Sequence, residues 1–520
     1  LVVWSNLLTI AGEVIIPSGW SALLLTVLLT PAAAVVLVTL THRKRIAEAV
    51  TAVSVLLIVF QVLGLVAGVI DDRQLSAYGE LLYLDALGAL ILIPIAGVGF
   101  VAALYSVNYM GRQYERGIVD DRHIVRYYQG FNGFMLTMLL VPLANNMGLM
   151  WVAIEATTLV SVFMIMLYTT EGAIEAAWKY LMIATVGLSL ALFGIVLFSY
   201  ANTSAVPSSS GMDWTSMVAN SGLLNSGVVK VAFVFVLVGL GTKAGLAPMH
   251  TWLPDAHGEA PTPVSALLSG VLLNCAIYGV LRFYIITSGT VGTAFPGELL
   301  TLLGLLSMGI AAASIYFQKD MKRLLAYSSV EHMGIVSIAV AFGGFLGLFA
   351  ALLHIINHAI AKPLMFFASG TVSQRYGTKT MVEIKGIVKV MPVTGTLLLL
   401  GGLAIAGMPP FNIFLSEFLV MTAGFGTGQF LVTSVMIILL VVVFAGFLRH
   451  LVPMVFGNPA SGKAVPTEKG TGTDGMGAFA VVPMLILAAL VIVLGFYIPQ
   501  PLQTLIRDAT QVFAQGAASK

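Results

Sequence analysis

The chain has 520 residues, 58% hydrophobic and 9% charged, with a formal net charge of +2 and a single cysteine, Cys275. Soluble proteins carry about 25% charged residues, so this composition excludes a soluble domain, and no basic patch interleaved with aromatics points to nucleic acid. One cysteine excludes a disulfide within the chain. It also excludes an iron–sulfur cluster held by this chain alone, because such clusters are held by sets of thiolates.

Apolar runs of about 20 residues are candidates for membrane-spanning helices. In chain order the predicted spans are 17–41, 47–70, 80–110, 124–143, 147–168, 172–201, 226–256, 260–288, 298–317, 321–343, 346–371, 388–426, 428–456 and 477–502. The predicted fold class is therefore an all-α polytopic membrane protein of about fourteen transmembrane helices. The runs 226–256 and 388–426 are too long for one straight helix and carry Gly and Pro at their centres, which predicts two discontinuous helices. No cleavable signal pattern stands out, so the first span is expected to remain as an anchor.

The loops alternate in charge. Arg43, Lys44 and Arg45 follow the first span; Arg112, Arg116, Arg122 and Arg126 the third; Lys319, Lys322 and Arg323 the ninth; Arg375, Lys379, Lys385 and Lys389 the eleventh; Arg449, Lys463 and Lys469 the thirteenth. These are seventeen of the 25 Lys and Arg, all on one side, whereas Arg73, Arg507 and Lys520 fall opposite. By the positive-inside rule the basic loops are cytoplasmic and both termini face outward, in the plasma (inner) membrane of a prokaryote.

An internal repeat is visible. VAIEATTLVS at 152–161 aligns with SSVEHMGIVS at 328–337, setting Glu155 opposite Glu331. AWKYLM at 177–182 corresponds loosely to AKPLMF at 361–366, setting Lys179 opposite Lys362. KAGLAPMHTWLPD at 243–255 aligns with IAGMPPFNIFLSE at 405–417, setting Asp255 opposite Glu417. This predicts an N-terminal three-helix segment (1–123), two five-span units (124–288 and 298–456) and a C-terminal helix and tail (477–520). An odd number of spans per unit makes the two units inverted relative to each other, as in many transporters.

Charges inside the apolar spans carry the chemistry. A lysine at the centre of a span costs about 2.5–3.5 kcal/mol on insertion scales, and Lys243 stands beside Gly245 and Pro248 in the middle of a broken span. Glu155 lies in an otherwise uncharged run; with Lys243 it forms either a switchable pair or a fixed ion pair that holds two helices together. His354, His358 and Lys362 are spaced i, i+4, i+8 and make one stripe on one helix. Imidazole titrates near neutrality, so the stripe suits a proton relay; hydrogen-bonded core histidines are the competing reading. Haem ligation is disfavoured because one stripe cannot present ligands to both faces of a haem. Glu331 and His332 point about 100° apart on a helix, and Glu331, aligned with Glu155, is the stronger candidate. Asp255 and His257 form a proton mouth or a capping interaction. Arg282 and Lys230 are expected to be interfacial anchors. The predicted proton relay is thus Glu155, Lys179, Lys243, Glu331, His354, His358, Lys362 and Glu417.

HTWLPDAHGEAPTPVSALLSG at 250–270 with Lys243 upstream, RLLAYSSVEHMGI at 323–335, HAIAKPLMFFASG at 358–370 and GMPPFNIFLSEF at 407–418 resemble the antiporter-like membrane subunits of respiratory complex I and its relatives. IEATTL, EAAWKYL and VEHMG resemble the F subunit of hydrogenase-4 within that superfamily. The resemblance implies a central hydrophilic axis of Glu, Lys and His. In it Glu155 and Lys243 are the coupling pair, His354, His358 and Lys362 extend the axis, and Glu417 ends it. It further implies a proton- or Na⁺-translocating subunit of a redox-driven pump. Other membrane and peripheral subunits would be its partners, with Fe–S, Ni–Fe or quinone sites in them and no cofactor in this chain. A subunit of a multisubunit Na⁺/H⁺ antiporter is the alternative. One departure from the complex I chain M pattern is Asn274, where that pattern has a lysine. A second is the absence, after the fourteenth span, of the long lateral helix of the L-type subunit.

Overall fold

The computed structural model describes residues 19–41, 43–458 and 477–515. Lys463, Lys469 and Lys520 lie outside the described residues. The helices are α1 (Gly19–Thr41), α2 (Lys44–Asp72), α3 (Ala86–Glu115), α4 (Asp121–Leu143), α5 (Met147–Ile165), α6 (Glu171–Ala205), α7 (Trp214–Ala219), α8 (Ser226–Ala244), α9 (Trp252–Glu259), α10 (Thr262–Leu267), α11 (Leu273–Val291), α12 (Ala294–Phe317), α13 (Met321–Phe342), α14 (Gly344–Tyr376), α15 (Ile387–Val390), α16 (Pro392–Ile405), α17 (Asn412–Gly426), α18 (Phe430–Phe456), α19 (Ala478–Phe496) and α20 (Gln500–Gln515). Among the described residues twelve helical segments are long and apolar enough to cross a membrane, with α16 and α17 as shorter apolar helices.

Side-chain caps set many of the starts. Asp85, Asn146, Thr170, Asn225 and Asp320 each accept a hydrogen bond from a backbone N–H in the first turn that follows. Such caps satisfy amides that have no partner within the helix. The bundle is layered by burial. The apolar window of the segment Thr262–Val291 is wholly buried and that of α13 is 89% buried, against 28% for α1 and α18. The central helices therefore face only protein, and the peripheral ones turn apolar surface outward, as lipid contact requires.

Two regions depart from the predicted helices. The start of the expected span 80–110 is a β-hairpin instead: β1 (Gln74–Ala77) pairs antiparallel with β2 (Leu82–Asp85). Tyr78, Gly79 and Glu80 are all in the left-handed region and close the turn. The last expected span, 477–502, ends at Phe496. After a break, α20 runs back against α3, α11 and α14, burying Leu505, Ile506, Ala509 and Phe513.

Both expected helix breaks are present. After α8, Gly245 adopts φ +80°, and the chain resumes through a 3₁₀ turn at Met249–Thr251 into α9. After α16, Gly407 adopts φ +73° before α17. The two glycines stand 162 residues apart, the offset of the aligned segments 243–255 and 405–417. A Cβ at Gly245 would lie 2.6 Å from Leu253 Cδ1. Gly245→Ala adds that clash to a left-handed backbone costing about 1–2 kcal/mol. It is expected to lower the unfolding free energy of the purified complex by at least that much, and an unchanged denaturation midpoint would contradict this account of the break.

Candidate functional site

Lys243 ends α8 at the first break and is fully buried. Its ammonium donates to Thr158 Oγ1 at 2.7 Å and to the Tyr180 hydroxyl in a short contact. Tyr180 OH also shares a 2.8 Å bond with Ser161 Oγ. The Tyr180 ring packs against Trp252, whose indole N–H is held by Thr242 O at 2.8 Å. Glu155 lies one turn before Thr158 on α5 and is half-buried. It accepts from Thr185 Oγ1 at 3.1 Å, while its Oε2 is buried without a protein partner. Glu155 and Lys243 do not touch. Their charges interact, with Thr158 and Tyr180 on the lysine's side.

A second cluster lies between α13, α14 and α17. Lys362 is fully buried and donates to Leu325 O at 2.9 Å and, in a short contact, to Ser328 Oγ. Glu331, one turn along α13 from Ser328, supplies the opposing charge, and its Oε2 has no protein partner. His332 Nδ1 and His354 Nε2 are 3.0 Å apart, and His354 Nδ1 is 2.9 Å from Ser416 Oγ. The His332 and His358 rings lie 5.2 Å apart. Glu417 is buried beside Ser416, and a Cβ on Gly407 would collide with its carboxylate. Glycine at that left-handed position thus makes room for the carboxylate as well as for the turn.

Between the clusters stand His250, His257 and Asn274, all buried. His257 stacks on Phe366 at 5.3 Å, and its charge interactions are with Lys322, Lys362 and His358. Both of its ring nitrogens, both of those of His358 and Nδ1 of His250 have no protein partner. Asn274 stands just after a π-turn at Leu268–Leu272; its Nδ2 donates to Gly270 O at 2.8 Å, leaving Oδ1 unpartnered. Buried polar atoms are nearly always hydrogen-bonded to protein or water. Unpaired ones recur in both clusters and between them, at Glu155, His250, His257, Asn274, Glu331, His332 and His358, positions suited to bridging water.

The structure separates the predicted residues. Lys243, Glu331, His354, His358, Lys362 and Glu417 are buried, and Glu155 is half-buried. Lys179 stands apart from them. Its side chain is 48% exposed and pairs with Glu175 at 2.6 Å and Asp255 at 3.3 Å, so its loose alignment with buried Lys362 does not carry over to its surroundings. Asp255 also pairs with Arg323, which makes it an ion-pairing residue, while His257, two residues on, turns into the core.

Arg282 is no interfacial anchor. It is 2% exposed and clasps Asp85 through two bonds, of 2.6 and 2.7 Å, with its guanidinium 4.1 Å from the Trp214 ring. Lys322, one of the basic residues after the ninth predicted span, is buried and donates to Ala260 O at 2.5 Å. Among the buried ionisable residues near the two clusters, the predicted relay omits His250, His257, His332 and Lys322. The one sequence signal for the first two is their spacing of seven, which places them on one side of a helical turn.

Residues 144–445 match the family described as NADH:quinone oxidoreductase/Mrp antiporter, TM. The chain is 39% identical to a hydrogenase-4 component F homolog of Methylacidiphilum infernorum over 422 residues, covering 81% of this chain and 86% of that one. It is 32% identical to hydrogenase-4 component B of Escherichia coli, of which it spans 50%. It is 31% identical to Na⁺/H⁺ antiporter subunit A1 of Staphylococcus aureus, of which it spans 42%; each match covers 65% of this chain. A chain of the archaeal membrane-bound sulfane sulfur reductase superposes with a TM-score of 0.83 at 26% identity, covering 96% of this chain and 99% of that one. With a mostly helical membrane bundle, two glycine-broken helices and buried Lys, Glu and His side chains, the chain belongs to the NADH:quinone oxidoreductase/Mrp antiporter transmembrane family.

Proposed function

We propose that this protein moves protons, or Na⁺, through a membrane along the buried file. The route runs from Glu155 and Lys243, past His257 and His358, to Lys362, Glu331, His332 and His354, ending at Glu417. The observation that carries the reading is the set of buried ionisable groups with open hydrogen-bonding positions. Ionisable residues inside membrane bundles are costly and mark ion pathways. Water between adjacent groups would let a proton hop, and a charge change at Glu155 would alter the hold on Lys243, since their charges interact.

The chain is an integral membrane protein of a multisubunit type. We place it in a redox-driven pump related to hydrogenase-4 or complex I, a reading supported by the likeness to the hydrogenase-4 component F homolog over most of both chains. Electron transfer would occur in partner subunits holding Fe–S, Ni–Fe or quinone sites, and this chain would hold none. The helices would cross the plasma membrane of a prokaryote fourteen times, as two inverted five-span units behind a three-helix segment, with basic loops cytoplasmic and both termini outward. The test is ion uptake by vesicles holding the assembled complex, driven by electron transfer. The second reading, a subunit of a multisubunit Na⁺/H⁺ antiporter, is favoured by the 31% identity to antiporter subunit A1. It expects Na⁺/H⁺ exchange under an imposed gradient without an electron donor, and that outcome would displace the first reading.

Asn274 offers a finer test of the path. Asn274→Leu removes the polar atoms at the π-turn, and losing a buried hydrogen-bonding partner costs about 1–3 kcal/mol. If that cost falls on the transport barrier, coupled uptake drops roughly ten- to hundredfold, whereas Asn274→Lys is expected to be tolerated. Unchanged uptake in Asn274→Leu would show that ions do not pass this point.

A further inference from the structure

We propose that a groove between α1, α4 and α5 holds one anionic phospholipid, with its headgroup against Arg126 and His123 and an acyl chain lying along Gly130 and Gly133. The site lies apart from the buried ion file and goes beyond the proposed transport function. The cavity has a volume of about 600 Å³, and its walls include Val35, Val160, Phe163 and Met164. It is polar at one end only. His123 and Arg126 sit in the first turns of α4, at the end of the bundle that carries Arg112, Arg116 and Arg122. Gly133 lies roughly 18 Å deeper than the start of α4, at 1.5 Å of rise per residue.

The charge at the rim suits a phosphate. Arg126 is exposed and makes no ion pair among the described residues. The nearby Asp120 carboxylate is already engaged: it accepts the His123 backbone N–H at 2.9 Å and lies 2.7 Å from His123 Nδ1. These bonds from His123 hold Asp120 below the usual carboxylate range. Gln129 Nε2 donates to Thr39 Oγ1 at 3.1 Å and ties α1 to α4 beside the groove.

Glycine makes the groove. At Gly133 a Cβ would stand 3.7 Å from Val160, an ordinary contact, so a longer side chain there would extend into the open space. At Gly130 a Cβ would come within 2.9 Å of Met164 Cγ. Phe163, 70% exposed, is one of the walls and is placed to cover an acyl chain. Basic side chains at the membrane surface draw anionic headgroups in preference to zwitterionic ones.

The test uses the assembled complex in nanodiscs and phosphatidylglycerol bearing a photoreactive acyl chain, with cross-links mapped by peptide mass spectrometry. Peptides containing Gly130–Gly133 and Phe163 are expected to be labelled. Labelling should fall about fivefold or more with the matching phosphatidylcholine probe or in Arg126→Glu. It should vanish in Gly133→Leu and persist in Gly133→Ala, whose methyl group fits. Equal labelling by the two lipids or undiminished labelling in Gly133→Leu would overturn the proposal. If Gly133→Leu does not assemble, the lipid comparison and Arg126→Glu still decide.

Discussion

Replacing Lys243 with alanine is expected to stop ion transport by the assembled complex while leaving the complex intact. The ammonium is fully buried at the end of α8, and its hydrogen bonds go to Thr158 and Tyr180. A hydrogen bond to a charged group contributes about 1.5–3 kcal/mol, so two of them lost from the transport barrier would slow turnover by at least about a hundredfold. Assembly should survive because the hydrogen-bonding partners left behind, Thr158 and Tyr180, are uncharged and Glu155 is only half-buried. Thr158→Val removes only one of the two bonds and should give an intermediate loss. The measurement is donor-driven ion uptake in reconstituted vesicles, with subunit content checked on the same sample. Uptake at the wild-type rate in Lys243→Ala would remove this lysine from the pathway and leave Glu155 without its electrostatic counterpart.

Arg282→Met and Asp85→Leu are each expected to destabilise the protein by about 3–5 kcal/mol, because each leaves the other charge buried and unpaired. The pair joins the end of the β-hairpin to α11, and the guanidinium lies against Trp214 and near the Tyr278 ring. The double variant should recover most of that loss, since replacing a whole buried ion pair by apolar groups is often neutral. Denaturation of the purified complex, followed by Trp fluorescence, reads all three. Strictly additive losses in the double variant would mean that the two charges do not depend on each other.

Hydropathy and composition were enough to read the class of the protein and the rough position of every long helix from the chain alone. A span needs about 20 apolar residues whatever its neighbours are, so the signal is local. The breaks were legible for the same reason: Gly245 and Gly407 are needed where the backbone turns left-handed, and glycine takes that conformation without strain. Lys243, Lys362, His354 and His358 were legible as chemistry because a charge or imidazole in an apolar run is costly wherever it stands.

The surroundings of each polar residue were decided by tertiary structure. Lys179 and Lys243 both fall in apolar stretches. Yet Lys179 reaches Glu175 and Asp255 at the surface, and Lys243 reaches a threonine and a tyrosine in the interior. Lys322 and His257 look like residues of a polar loop, but the packing of α9, α10 and α13 folds them inward. The Arg282–Asp85 pair spans 197 residues of chain, and no local pattern marks it. Side-chain periodicity determines which face of a helix is apolar. Whether a charge on that helix meets water, lipid or a counter-charge depends on helices far away in the sequence, and only their packing settles it.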